Sequence, residues 1–285
     1  MNVERILNFV WNEFIFGGHL LSLGAVSIVF TSAILLDISV TIDFLLIIYL
    51  IAYTIYLYNR FKEYKKDFLT NYDRTQHIAK YIKYTPVIIF CCMLIVICML
   101  LYFGNQISLI FGLLLLIFGL LYSVYFKEMT GRIIGFKNFY VALMWSSLVI
   151  FLAFYYSFPL NLPLVFVGTF IFLRFIIHEC FFDTKDVISD KKENLLTVVI
   201  VFGKEKLLNT LNFINIVIIV LLVFGVYLCF IPVYSLALLL TIPYSIYYLE
   251  KIKDKKTNKN FLYSVVANSE FILWSFFVLL GKVLL

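Results

Sequence analysis

An all-α, polytopic membrane protein is what this 285-residue sequence predicts, on three observations: 63% of residues are hydrophobic, only 14% are charged, and mean hydropathy is +1.00. No soluble core accommodates that balance. The apolar residues come in runs of about 17 to 25, the length a helix needs to cross a hydrocarbon layer of about 30 Å, and no period-2 pattern suggests a barrel.

Taken in order, about nine spans are expected, at 18–36, 41–58, 85–102, 107–125, 139–158, 162–180, 210–229, 231–248 and 262–281. The segment before Gly17 sets Glu4, Arg5 and Glu13 among apolar residues and lacks the unbroken apolar core of a secretory signal. It reads as an amphipathic interfacial helix. The longest polar stretch, 59–84, is too short for a core of its own, so residues 1–285 are expected to form one transmembrane domain.

Charge supports this order independently. Of 23 Lys and Arg residues, 21 fall in four segments: Arg60 to Lys83, Lys127 to Lys137, Arg174 to Lys206, and Lys251 to Lys259. The connections between them, near 37–43, 103–107, 156–163 and 230–234, have none. Alternate loops are therefore basic, which predicts that they are cytoplasmic and that the protein is an integral, multi-pass one with its acidic clusters on that side. The net charge of +6 is then a topology signal, and dispersal over four loops argues against nucleic acid as a partner. Cys91, Cys92, Cys98, Cys180 and Cys229 lack any CxxC spacing and read as inert buried thiols. His178-Glu179 lacks the second histidine of a zinc HExxH helix.

Two acidic clusters stand about 120 residues apart, each directly after an expected span: Asn59/Glu63/Asp67 and Asp183/Asp186/Asp190. At about 100° per residue the first set lies within roughly 80° of a helical face and the second within roughly 60°, with Glu179 on the same stripe. The neighbouring lysines fall on other faces. Oxygen ligands in this number suit a hard divalent ion, and Mg²⁺ held by one or two carboxylates completes its shell with substrate phosphate. Lys127, Arg132 and Lys137 lie in the loop between the clusters, where they can meet phosphate oxygens. Phe-, Leu-, Ile- and Tyr-rich walls leave room for a greasy tail. A prenyl diphosphate fits both halves.

Asp183-Thr-Lys-Asp186-Val-Ile-Ser-Asp190, followed by Asn194-Leu195-Leu196-Thr197-Val198 and Val201-Phe202-Gly203, resembles the second aspartate motif of the UbiA superfamily of intramembrane prenyltransferases. Tyr122-Ser123 with Lys127, then Phe136-Lys137-Asn138 and Trp145, is similar to that family's signature after span four. The first motif departs: Arg60 follows Asn59, Glu63 stands for an aspartate, and Asn71-Tyr72-Asp73-Arg74-Thr75 replaces the usual Arg-Pro segment. The resemblance implies a UbiA-like bundle and Mg²⁺-dependent transfer of a prenyl group from its diphosphate to an aromatic or other lipophilic acceptor within the bilayer. It also implies residue roles. Asn59, Glu63, Asp67, Asp183, Asp186 and Asp190 would hold metal and diphosphate, and Lys127, Arg60, Lys137 and Arg174 would meet phosphate oxygens. Tyr122 would face the allylic cation or serve as an interfacial aromatic anchor. Glu270, an intramembrane acid, reads equally as functional or as bonded to a neighbouring helix, and stays outside the site. A UbiA-like terpene cyclase is the alternative within enzymes. A membrane transporter and a catalytically silent scaffold are the alternatives outside them.

Overall fold

The computed structural model describes residues 3–67 and 71–284, and every regular element among them is helical. The side chains of Val3, Lys66 and Asp67 lie outside the described residues. The chain runs through α1 (Val3–Phe16), α2 (His19–Leu35), α3 (Ile42–Asp67), α4 (Tyr72–Ala79), α5 (Thr85–Phe103), α6 (Gln106–Leu121) and α7 (Phe136–Tyr155). It continues through α8 (Leu162–Lys192), α9 (Val198–Phe202), α10 (Lys204–Tyr227), α11 (Thr241–Lys251), α12 (Lys259–Phe261) and α13 (Asn268–Leu284).

Among the described residues, seven helices are long and apolar enough to cross a membrane, or eight if the pair α1 and α2, bent by 53°, forms one span. The expected count of nine is therefore approximate. The segment expected to span over 231–248 winds as a 3-10 helix over Val233–Leu240 before α11 begins. Pro243, with no N–H to donate, interrupts the i→i−4 ladder at that junction. The turn between α1 and α2 depends on Gly18, whose φ of +98° is open to glycine and where a Cβ would stand 2.3 Å from the Tyr56 ring.

Four helices end alike. Asp37, Ser157, Asn194 and Cys229 follow α2, α7, α8 and α10 with positive φ. In each case the next residue's N–H reaches back five residues to a carbonyl, from Ile38 to Ala33, Phe158 to Ala153, Leu195 to Asp190 and Phe230 to Gly225, at 2.8 to 2.9 Å. These αL ends satisfy carbonyls the helix leaves open and turn the chain sharply.

The core is continuous apolar packing in which α8 lies against α7 and α10, and α13 against α2. Phe175 and Phe271 stack at 4.4 Å between centroids with Trp145 against Phe175 at 4.5 Å. α3 has 26 residues and α8 has 31. At about 1.5 Å per residue these reach about 39 and 46 Å, so both outrun a hydrocarbon core of about 30 Å and carry their polar ends beyond it.

Candidate active site

Those two extensions enclose a cavity of about 290 Å³, lined also by α1, α4, α6, α7 and the segments around Lys127 and Ser264. Its mouth is charged: Asn59, Arg60 and Glu63 from α3, Asn71 and Arg74 at α4, Lys127, Lys137, and Lys185, Asp186, Asp190 and Glu193 from α8 and its end. Its depth is apolar, with Ile51 and Ile55 of α3, Leu115 of α6, and Met144, Trp145 and Leu148 of α7.

The basic side chains are placed by irregular winding. After α6 the helix widens to a π turn over Tyr122–Phe126 and tightens to 3-10 over Lys127–Gly131. The change aims Tyr122 and Lys127 at the cavity and lets the Ser123 hydroxyl donate to Asn59 Oδ1 at 2.9 Å. Lys127 Nζ donates to Glu63 Oε1 at 2.5 Å and lies 3.5 Å from Glu193 Oε2. Two backbone bonds pin this loop to the chain after α8: Leu196 N–H to Thr130 O at 2.9 Å and Gly135 N–H to Leu196 O at 3.0 Å. Gly135, at φ +67°, then starts α7 in an orientation that sends Lys137 and Asn138 to α8.

On α8 the three aspartates are not equivalent. Asp183 is fully buried behind the cavity wall, with Lys137 Nζ at 2.6 Å from Oδ1 and Asn138 Nδ2 donating to Oδ2 at 2.7 Å. Asp190 is buried as well, 3.7 Å from Lys137. Asp186 lines the cavity, and its buried Oδ1 has no hydrogen-bond partner.

No group of three or more His, Cys, Asp or Glu side chains is assembled at metal distance among the described residues. The donor chemistry still fits a hard divalent ion, because Mg²⁺ needs only one or two carboxylates when phosphate completes its shell. Asp186 supplies the unsatisfied oxygen such an ion requires, and Asp190 stands one turn further on the same stripe. Asp183, already neutralised from α7, fixes Lys137 instead of facing the cavity.

Of the residues singled out from sequence, the fold brings Asn59, Arg60, Glu63, Tyr122, Lys127, Lys137, Asp186 and Asp190 to one cavity, with Asp183 directly behind. Asp67 closes α3, and its side chain is outside the described residues. Arg174 is corrected: it is buried away from the cavity lining, where Nε and a terminal nitrogen donate to Glu270 Oε1 and Nη1 donates to Asn215 Oδ1 at 2.8 Å. Its terminal nitrogens also reach the Thr241 carbonyl at 3.3 Å and Ser245 Oγ at 3.5 Å, so its donors are spent inside the bundle, outside the cavity lining. Glu270, which also accepts from Tyr248 at 2.9 Å, is thereby explained as the counter-charge.

Lys185 is a second correction. Placed by its angle away from the acidic stripe, it lines the cavity and donates to Asn71 Oδ1 at 2.5 Å. A four-carbon stem reaches around a helix that helical angle alone assigns to another face. Arg74, Asn71, Ser189, Glu193, Ser264 and Asn268 also line the cavity without having been singled out. For Arg74 and Asn71 the signal was present in their place just after the first acidic cluster.

The fold and this cavity define a helical membrane protein with a charged site at the end of its bundle and an apolar chamber beneath. The chain belongs to the UbiA prenyltransferase family, whose model matches residues 20–276. No curated protein sequence matches it. Among solved structures it is similar to an apo UbiA homologue from Aeropyrum pernix K1, at TM-score 0.69 and 12% identity over 93% of this chain and 97% of that one. It is similar to a UbiA homologue from Archaeoglobus fulgidus bound to DMAPP and Mg²⁺, at TM-score 0.64 and 14% identity over 96% and 99%. A digeranylgeranylglyceryl phosphate synthase aligns at TM-score 0.59 and 15% identity over 97% and 98%.

Proposed function

We propose that the protein transfers a prenyl group from a prenyl diphosphate to a lipophilic acceptor, using Mg²⁺ at the α8 wall, at the cytoplasmic edge of the membrane. The observation that carries this reading is the polarity of the cavity, charged at its mouth and apolar below, which matches a ligand with an anionic head and a hydrocarbon tail. The Archaeoglobus homologue with DMAPP and Mg²⁺ supports the ligand class. The basic connections gathered at this end of the bundle support the sidedness.

Bound Mg²⁺ supplies the positive charge that lets a diphosphate approach an acidic wall and leave as an anion. Asp186 and Asp190 would hold the ion in this reading, with Asp67 from the facing helix, where Glu63 and Asn59, already paired with Lys127 and Ser123, would contribute the lesser share. Lys127, Lys137 and Arg60 orient phosphate oxygens. The bond from the prenyl C1 to its oxygen breaks with the electron pair leaving on the diphosphate, and the acceptor's lone pair forms the new bond. The Tyr122 ring lines the cavity, and in this reading its π face stabilises the positive charge. Apolar walls keep water from capturing the allylic cation first.

Membranes containing the protein, given geranyl diphosphate and Mg²⁺, are expected to release diphosphate only when a lipophilic acceptor is present, and to stop on chelation. Release without acceptor, yielding a cyclic hydrocarbon, identifies a cyclase instead. No release under either condition overturns the reading.

A further inference from the structure

Polar groups also occur well below the mouth of the cavity. Glu179 precedes Asp186 by seven residues on α8, about 10 Å along the helix axis. There it lines the chamber with His178, Ser264 and Asn268, beside Trp145 and Met144. Ser264 belongs to a π-helical turn, Leu262–Ala267, and Asn268 follows it directly. Such widened turns inside helices recur at functional sites.

Hydrogen bonding fixes how this group is arranged. Asn268 Nδ2 donates to the Tyr263 and Ser264 carbonyls at 3.3 and 3.1 Å, which turns its Oδ1 toward His178 Nε2 at 3.2 Å. His178, itself buried, faces Glu179 Oε1 through Nδ1 at 3.3 Å. The Glu179 side chain keeps 18% of its surface accessible, and it lines the cavity. A carboxylate in an apolar chamber is costly unless a ligand donates to it.

We propose that Glu179 is the proton acceptor for the incoming nucleophile, and that the acceptor is a neutral lipophile carrying a hydroxyl group. This rests on the prenyl-transfer reading above. The acceptor O–H proton passes to a Glu179 carboxylate oxygen, the hydroxyl oxygen bonds to the prenyl C1, and the C1–O bond to diphosphate breaks with its electron pair. His178 is a positioning residue: it gives its Nε2–H to Asn268 Oδ1 and, with Nδ1 protonated as well, donates to the carboxylate and orients it.

Three probes sharing a dodecyl tail test this with geranyl diphosphate and Mg²⁺: dodecanol, dodecylphenol, and a dodecyl tetrafluorophenol already ionised at neutral pH. Glu179→Gln is expected to lower kcat for ether formation on dodecanol by about 100-fold or more, the range for loss of a general base. The deficit should shrink for the phenol and fall below about threefold for the phenolate, which has no proton to give up. His178→Asn should follow the same order with losses of about tenfold or less. An equal loss on all three probes overturns the proposal, since a packing defect ignores acceptor acidity. Wild-type protein that ionises the donor but forms no ether with dodecanol or dodecylphenol also overturns it, while leaving prenyl transfer intact. Wild-type protein that never ionises the donor overturns both.

Discussion

α3 and α8 carry the same device, a span that runs on into acidic residues, and put it to different use. On α3 the described polar groups at the cavity are already satisfied: Glu63 by Lys127, and Asn59 Oδ1 by Ser123, with the Arg60 cation beside them. On α8 one carboxylate is sealed behind the wall against Lys137, and the next, Asp186, keeps a buried oxygen without a hydrogen-bond partner. Acidic residues in helical register are thus not enough to leave a carboxylate open to the cavity. Which of them stays available is decided by cations arriving from other helices.

The largest effect is expected deepest in α8. Arg174→Met leaves Glu270 as an uncompensated buried charge and should cost about 3 to 5 kcal/mol in detergent-solubilised thermal or denaturant unfolding. The double variant with Glu270→Leu should recover most of this, and affinity for a geranyl thiodiphosphate should be unchanged in it. Weakened diphosphate binding in the stable double variant would return Arg174 to the site.

Asp183→Ala should cost about 3 kcal/mol, the lower end of that range, because Asp190 remains 3.7 Å from the stranded Lys137. Pairing it with Lys137→Met should restore stability without restoring activity.

The contrast between the two walls is sharpest in rate. Asp186→Asn should lower Mg²⁺-dependent diphosphate release by about 10²- to 10³-fold, the cost of losing a preorganised electrostatic group. Glu63→Gln should lower it less than about tenfold, because Lys127 keeps Glu193 at 3.5 Å. Equal losses would mean that both helices hold metal alike. Smallest of all, Ser123→Ala removes one hydrogen bond to Asn59 and should cost about 1 kcal/mol in unfolding.

What the sequence disclosed and withheld follows from the range of each interaction. Hydrophobic length and loop charge are local, so the spans around α3, α5, α6, α7, α8 and α10 and the joining of two acidic helices could be read directly. Helical angle, also local, placed Asp186 and Asp190 on one face. It failed for Lys185, whose partner Asn71 is 114 residues earlier, and the family resemblance failed for Arg174, whose partner Glu270 is 96 residues later. No periodicity reports that two distant residues share a cavity. The π turns before Lys127 and Asn268 were invisible for a related reason, since one extra residue per turn changes no composition.

The pair between Lys137 and Asp183 has a consequence for ionic strength. With Asp183 at 0% exposure and Lys137 at 13%, dissolved ions have little access to the contact, and screening acts weakly on charges withdrawn from solvent. The joint between α7 and α8 should therefore keep its shape from dilute buffer to brine, while the open charges at the mouth lose their pull on an anionic substrate. Added salt should then raise the apparent KM for the donor and leave the melting temperature nearly still.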